Sequence, residues 1–253
     1  MSIVTPDAAR PTFLLAADID GTLLGDPQGE LRFRELREHD PRAFQLAYVT
    51  GRYLFSVRDL VKSGRLPAPD FVCVNVGTEI YAWQEGDNPL GQKYAARSAP
   101  DWDLAEIYAH GTGEGVWPQD FGLDQPPFQA GFSWDGQAAS LAAMRRRLAG
   151  KPRCRILPSY GECIDVLPAG FGKGEAVRFL QQELGLPPEQ VVVAGDSGND
   201  IEMFTTGFKG ILPGNALAEL IEAAGEPWHY HSPRPAALGL LDGLAHFGFL
   251  DGR

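Results

Sequence analysis

The chain has 253 residues, enough to bury a sizeable core and near the length at which one domain gives way to two. Hydrophobic residues at 44% and charged residues at 22%, with 30 Gly and 20 Pro spread outside any repeat, exclude a fibrous or disordered chain. A formal net charge of -11 excludes a nucleic-acid partner bound through a cationic footprint, although one local cation or metal would still admit a phosphate ester to a cleft.

Residues 12–17 form an apolar run ending abruptly at Asp18-Ile19-Asp20-Gly21, which predicts a buried strand running into a turn. Residues 31–38 have helical period, and residues 45–49 repeat the strand design before Thr50-Gly51-Arg52. A helix over 53–62 and a third strand over 71–76, ending at Gly77, follow. Between Trp83 and Pro168 the rhythm breaks into Gly, Pro and Trp punctuation, with a two-sided strand at 128–134, a helix at 137–148 and short strands around Arg155 and Ile164. It resumes with a helix at 175–184, closed by Gly185 and Pro187-Pro188, and a strand at 191–194 before Gly195-Asp196. Residues 236–247 have helical apolar spacing and are expected to pack back on the core.

Strands alternating with helices imply an α/β fold: a doubly wound, Rossmann-like parallel sheet with helices on both faces. The predicted core comprises residues 1–82 and 169–253, and a smaller α/β cap domain at 83–168 is inserted into it. In such sheets ligands bind at the carboxyl ends of the strands, where each polar cluster above stands. Cys73, Cys154 and Cys163 are odd in number and lack metal-ligand spacing, so reduced thiols in a cytoplasmic protein are expected. The apolar run before Asp18 is too short for a membrane span and has no basic segment ahead of it, so no membrane association is expected.

The chemistry starts from Asp18 and Asp20, two carboxylates two residues apart where a buried strand turns, both able to reach one cleft. One can attack phosphorus while the other handles the leaving-group proton; an Asx turn with a left-handed Gly is the plainer alternative. A second strand end carries Gly195-Asp196-Ser197-Gly198-Asn199-Asp200, and carboxylates from separate strand ends suit Mg2+, with Asp196 as a direct ligand and Asp200 supporting it. Capping of the helix near Ile201 is an alternative use of Asn199 and Asp200. Thr50-Gly51-Arg52 offers a hydroxyl and an amide where a helix begins, a place that favours an anion. Lys173 also opens a helix, and alone would read as a surface charge.

The ordered set Asp-x-Asp-Gly-Thr, Thr-Gly-Arg, Gly-Lys-Gly and Gly-Asp-Ser-Gly-Asn-Asp resembles the haloacid dehalogenase superfamily, in the branch with a large α/β cap inserted after the third core strand. Pro69-Asp70-Phe71 running into Val76-Gly77-Thr78-Glu79-Ile80-Tyr81, and the ending from Gly243 to Leu250, look like sucrose-6-phosphate phosphatases. The resemblance implies that Asp18 forms an aspartyl-phosphate and that Asp20 protonates the sugar oxygen and then activates water. It also implies that Thr50, Gly51, Arg52, Lys173 and Asn199 bind the substrate, and that Asp18, Asp20 through its carbonyl, Asp196 and Asp200 surround Mg2+. The implied substrate is a small sugar phosphate, first sucrose 6-phosphate, and a sugar-phosphate synthase is a candidate partner.

The cap departs from the family pattern. Where those phosphatases carry a lysine in an aromatic-rich strand, this chain has Pro127-Phe128-Gln129-Ala130-Gly131-Phe132, and Ser159-Tyr160-Gly161-Glu162 lacks their basic residue. Mannosylfructose phosphate and glucosylglycerol phosphate are therefore alternative substrates, since exchanging cations for an amide and an acid alters pairing to sugar hydroxyls. A silent regulatory partner of a synthase and a phosphomutase are the remaining alternatives. The retained Asp18, Asp20, Thr50, Lys173, Asp196 and Asp200 argue against the former, and the ending and the Glu79 region against the latter. Arg145-Arg146-Arg147 is expected to be a solvated helix face, and the Trp residues 83, 102, 117 and 134 to cluster in the cap.

Overall fold

A computed structural model describes residues 13–84, 86–97, 102–120, 122, 125–150, 153–159 and 163–250. The first stretch holds strands β1 (Leu14–Ala17), β2 (Gln45–Val49), β3 (Phe71–Val74) and β4 (Glu79–Ala82), with helices α1 (Pro27–His39) and α2 (Leu54–Lys62) between the first three. The middle stretch holds α3 (Pro89–Ala95), α4 (Leu104–Gly111), β5 (Val116–Pro118), β6 (Ala130–Trp134), α5 (Ala138–Leu148), β7 (Cys154–Ser159) and β8 (Cys163–Pro168). The last stretch holds α6 (Lys173–Leu184), β9 (Val191–Ala194), α7 (Ile201–Phe204), β10 (Lys209–Leu212), α8 (Ala218–Ala223), β11 (His229–His231) and α9 (Ala236–His246).

The larger sheet has the order β11-β10-β9-β1-β2-β3-β4. Its strands run parallel, as expected, except β4, which lies antiparallel to β3 at the edge. A tight turn after β3 permits that antiparallel return, whereas a parallel partner would need a crossover. The central strands have no polar face. Leu15 and Ala17 of β1 enter one apolar cluster with Leu46, Tyr48 and Val192, while Leu14 and Ala16 enter another with Ala47, Val177 and Val193. That alternation, covered by helices on both sides, explains why β1, β2 and β9 read as continuous apolar runs.

Helix α1 starts at Pro27, four residues before the stretch its period suggested, because Asp26 caps it by accepting from the Gly29 amide and Pro27 occupies the first turn. Helix α6 ends on Gly185 in the left-handed conformation, and it begins at Lys173, two residues earlier than its period suggested. The expected strand at 71–76 stops at Val74 because Asn75 and Val76 turn left-handed, with φ of 52° and 59°.

The smaller sheet is antiparallel, in the order β5-β6-β8-β7, and packs Ala130, Phe132, Ile164 and Val166 against Ile107, Met144 and Leu148 of α4 and α5. Period two puts Gln129, Cys163 and Asp165 on the opposite face.

Three expectations for the middle stretch need correction. Trp83 packs against the large-sheet cluster, and its amide donates to Asp70 O, so it is not part of the smaller unit. Helix α3, beyond the expected boundary at 83, also stays with the large sheet, since Tyr94 is buried beside Phe171 and Phe179. Arg147 is no solvated charge: it donates to His110 O and Gly111 O at the end of α4, where helix carbonyls lack partners. The Ser159-Tyr160-Gly161-Glu162 turn lies largely outside the described residues.

Candidate active site

Ala17 pairs with Tyr48 on β2 and with Ala194 on β9, so Asp18, Thr50 and Asp196 emerge from neighbouring strand ends. The Asp18 amide still bonds Ala194 O at 2.9 Å, which keeps the nucleophile candidate on the rigid sheet. Gly21, with φ +74°, lets Asp196 come close: a Cβ there would lie 2.2 Å from Asp196 Oδ2. Below these carboxylates Lys173 is completely buried. Its Nζ donates to Asp18 Oδ1 at 2.8 Å, Asp200 Oδ1 at 2.6 Å and Asn199 Oδ1 at 2.9 Å. The other oxygen of Asp200 accepts from the amides of Asp196 and Ser197, so Asp200 caps its turn and anchors the lysine together.

Burial dominates the electrostatics. It pushes the Asp18 carboxyl up to about 8 against the pull of Lys173, with Asp200 and Asp196 adding to the rise. Burial and then Asp200 push Asp196 up to about 7, again against Lys173. Burial alone would lower the Lys173 ammonium, but Asp18 and Asp200 outweigh it and the pKa moves up. Asp18, Asp196 and Asp200 each offer an oxygen, all within 4.8 Å of one another. Asp196 Oδ1 is buried without a hydrogen-bond partner. An orphaned oxygen, two carboxyls forced toward their neutral form and an all-oxygen donor set fit a hard divalent cation.

Asp20 stands outside that carboxylate cluster. Both its oxygens accept from Arg52, from Nε and Nη2 at 2.7 Å each, while Arg52 Nη1 donates to Ser56 Oγ at 2.8 Å. Arg52 was expected on the substrate; here it holds the acid-base candidate. Thr50 is buried, and its hydroxyl accepts from the Arg52 amide at 3.1 Å, while Gly51 is exposed beside it.

A cavity of about 690 Å³ opens above these groups, lined by Asp18, Asp20, Thr50, Gly51, Arg52 and Asn199. Lys173, Asp196 and Asp200 do not line it. Its opposite wall comes from the smaller unit: Gln119, Gln129, Cys163 and Asp165. Gln129 donates to Asp165 at 2.7 Å and Gln119 to Cys163 Sγ at 3.3 Å. Sequence reasoning singled out Gln129 as a departure but assigned none of these four to a site. The signal was the period-two face of β6 and β8, which tells which side chains leave the small core but not what they meet.

The same fold is found in solved structures. A haloacid dehalogenase-like hydrolase from Bacillus subtilis matches 96% of this chain and 94% of its own with a TM-score of 0.67 at 20% identity, which establishes the fold. A sucrose-phosphatase from Synechocystis, solved with sucrose and phosphate, matches 95% of this chain and 100% of its own, with a TM-score of 0.86 and 34% identity. This is a phosphatase of the haloacid dehalogenase class. A family model described as sucrose-6F-phosphate phosphohydrolase matches residues 11–248, and the chain belongs to that family. Mannosylfructose-phosphate phosphatase of Agrobacterium fabrum is 31% identical over 94% of this chain and 98% of its own length. Glucosylglycerol-phosphate synthase of Pseudomonas anguilliseptica is 33% identical over 94% of this chain, which spans only 31% of that protein.

Proposed function

We propose that the protein hydrolyses the phosphate monoester of a disaccharide or related glycoside, sucrose 6-phosphate first, through an aspartyl-phosphate on Asp18. The observation that carries this reading is the buried Lys173 bonded to Asp18, Asn199 and Asp200 directly beneath the cavity. The Asp18 carboxylate attacks phosphorus as the ester P–O bond breaks. Asp20, protonated, gives its proton to the departing sugar oxygen. Asp20 as carboxylate then takes a proton from water, whose oxygen attacks phosphorus and releases inorganic phosphate, restoring both residues.

For that cycle the Arg52 fork must release Asp20 when substrate enters, and the phosphoryl oxygens are the natural new partners for its donors. Thr50, the Gly51 amide, Lys173 and Asn199 hold the remaining phosphoryl oxygens, since positioning and charge neutralisation supply most of such catalysis. Mg2+ would be held by Asp18, Asp196 and the Asp20 carbonyl, with Asp200 supporting them. It supplies neutralisation of the charge on the transferring phosphoryl group.

Mannosylfructose phosphate is the second substrate. It is favoured by the full-length relative that bears that name and by a cavity wall from the smaller unit carrying amides, a thiol and one acid rather than a lysine. A synthase of the same sugar phosphate is the proposed partner, supported by the likeness of this chain to one segment of a synthase. Phosphate release from sucrose 6-phosphate, mannosylfructose phosphate, glucosylglycerol phosphate, glucose 6-phosphate and fructose 6-phosphate, each with Mg2+, tests the reading. Asp18→Asn is expected to abolish release and keep the fold. Near-normal release by that variant would sink the mechanism.

A further inference from the structure

Val76-Gly77-Thr78-Glu79-Ile80-Tyr81 has no part in the chemistry above, yet it sits between the two elements proposed to hold the phosphoryl group. On one side the Asn75 amide donates to Arg52 O at 3.1 Å and the Val76 amide to Thr50 O at 3.0 Å. On the other, Gly77 (φ +79°) lies directly on the start of α6. A Cβ at Gly77 would fall 2.6 Å from Gly172 O and 2.7 Å from Lys173 N, so backbone packs on backbone. Tyr94, itself buried, donates to Gly77 O at 2.9 Å and fixes the loop from below.

The loop is held in a conformation its residues do not favour. Two consecutive non-glycine residues are left-handed, and one of them, Val76, is β-branched, for which this region is a genuine outlier. A connection that only joined β3 to β4 would be better served by glycine at that position. Val76 instead keeps its side chain, 3% exposed, in the cavity lining beside Thr50 and Gly51. Strain of this kind persists only where neighbours over-determine the backbone. Those neighbours form a chain of side chains: Asn75 Nδ2 donates to Glu79 Oε1 at 2.6 Å, and Tyr81 OH donates to Glu79 Oε2 at 2.7 Å. Thr78 Oγ1 also donates to Asn75 O at 2.9 Å. Asn75 Oδ1 is buried without a partner, so Glu79 is the hold on that amide among the described residues.

We propose that the 75–79 loop, locked by the Asn75–Glu79–Tyr81 chain, is a wedge that sets the spacing between the Thr50 loop and the Lys173 turn, making Glu79 and Tyr81 positioning residues for phosphate. The proposal rests on the phosphatase reading for what the spacing serves. Glu79 lines a separate small cavity and not the one above Asp18, so it acts through Asn75.

The test compares Glu79→Gln and Tyr81→Phe, both close in size to the originals, with the unaltered protein. Inorganic phosphate affinity is measured by calorimetry with Mg2+ present, kcat and KM on the best sugar phosphate, and Mg2+ half-saturation by thermal shift. Gln presents one acceptor oxygen and an NH2 where Glu presents two charged acceptors, so both hydrogen bonds lose their charge assistance and one must reverse its direction. Glu79→Gln is expected to weaken phosphate binding and lower kcat by about tenfold or more, in keeping with the sensitivity of phosphoryl transfer to misplacement. Tyr81→Phe should shift both in the same direction by less. Mg2+ half-saturation should stay unchanged, because Asp18 and Asp196 stand on other strand ends. A folded Glu79→Gln with unchanged phosphate affinity overturns the proposal, as does a loss that follows melting temperature alone. If the unaltered protein binds phosphate but turns over no sugar phosphate, the phosphatase reading falls, while the comparison of phosphate affinities still decides this one.

Discussion

Lys173 is the residue on which the site's charge balance turns. It is a fully buried ammonium facing two carboxylates and an amide oxygen, and removing one partner of a buried ion pair costs about 3–5 kcal/mol because the rest stay uncompensated. Lys173→Met is therefore expected to lose stability on that scale in denaturant titrations near pH 9, above the Asp18 pKa of about 8, and less near pH 5, where Asp18 holds a proton. Equal losses at both pH values would mean that the cost is one of packing. The raised carboxyls make a second prediction. Asp18 at about 8 and Asp196 at about 7, against an ordinary 3.8, mean that the folded metal-free protein binds more protons than the unfolded chain between about pH 4 and 8. Their contribution to stability accordingly falls as pH rises through that window. A bound cation needs both groups deprotonated and removes the penalty. The rise in melting temperature produced by Mg2+ should therefore grow from about pH 5.5 to about pH 8.5, and a rise independent of pH would contradict this placement of the metal.

At the scale of elements, the strands β1, β2, β3 and β9 were the most legible parts of the sequence because burial on both faces leaves few polar residues to blur their ends, whereas β4, β10 and β11, on the outer sides of the sheet, were not read from it. The abrupt change from Ala17 to Asp18, or from Ala194 to Gly195 and Asp196, is the boundary between core and site. Less legible were features that depend on what an element meets. Nothing in the period of residues 71–76 announced that Asn75 and Val76 would turn left-handed, since that follows from contacts to Thr50, Arg52 and Gly172 far away in sequence. Likewise, Arg52 resembles a substrate ligand by motif, and only the fold brings Asp20 to its guanidinium. The family-like ending carries packing rather than chemistry. Helix α9 lies against α1 and β10, and Leu240 and Leu244 are buried in the same cluster as Leu15 and Ala17 of β1. Leu244→Ala is expected to cost about 2–5 kcal/mol of stability, measured by denaturant unfolding, through lost burial and the cavity left behind. Since α9 stands away from the residues lining the cavity, kcat and KM of the folded fraction should be unchanged, and a specific rise in KM would give the ending a role in the site.

At the scale of the whole molecule, the cavity divides the work between two units. The strand ends of the large sheet, with Lys173 at the start of α6, hold every group proposed to touch the phosphoryl oxygens or phosphorus, whereas Gln119, Gln129, Cys163 and Asp165 of the smaller unit face them across the space. We propose the boundary between the units after residue 97, because α3 packs with Phe171 and Phe179 on the large sheet. Arg155 of β7 ties them together again, through Glu202 of α7 and through Phe171 O at 3.1 Å. This division makes a prediction about substrates of different size. A small phosphate ester engages only the large-sheet half, while a disaccharide phosphate extends to the amide and carboxylate on the far wall. Leaving a polar group of such a site unpaired costs about 1–3 kcal/mol, or roughly five- to 150-fold in kcat/KM. Gln129→Ala and Asp165→Asn should thus lower kcat/KM by about that factor on the preferred disaccharide phosphate and leave hydrolysis of a small ester such as glycerol phosphate nearly as before. Equal losses on both substrates would place these residues in the support of the reacting half, and no loss on either would move sugar recognition to the Tyr53 and Phe55 rim, where two stacked rings line the same cavity at the large-sheet side.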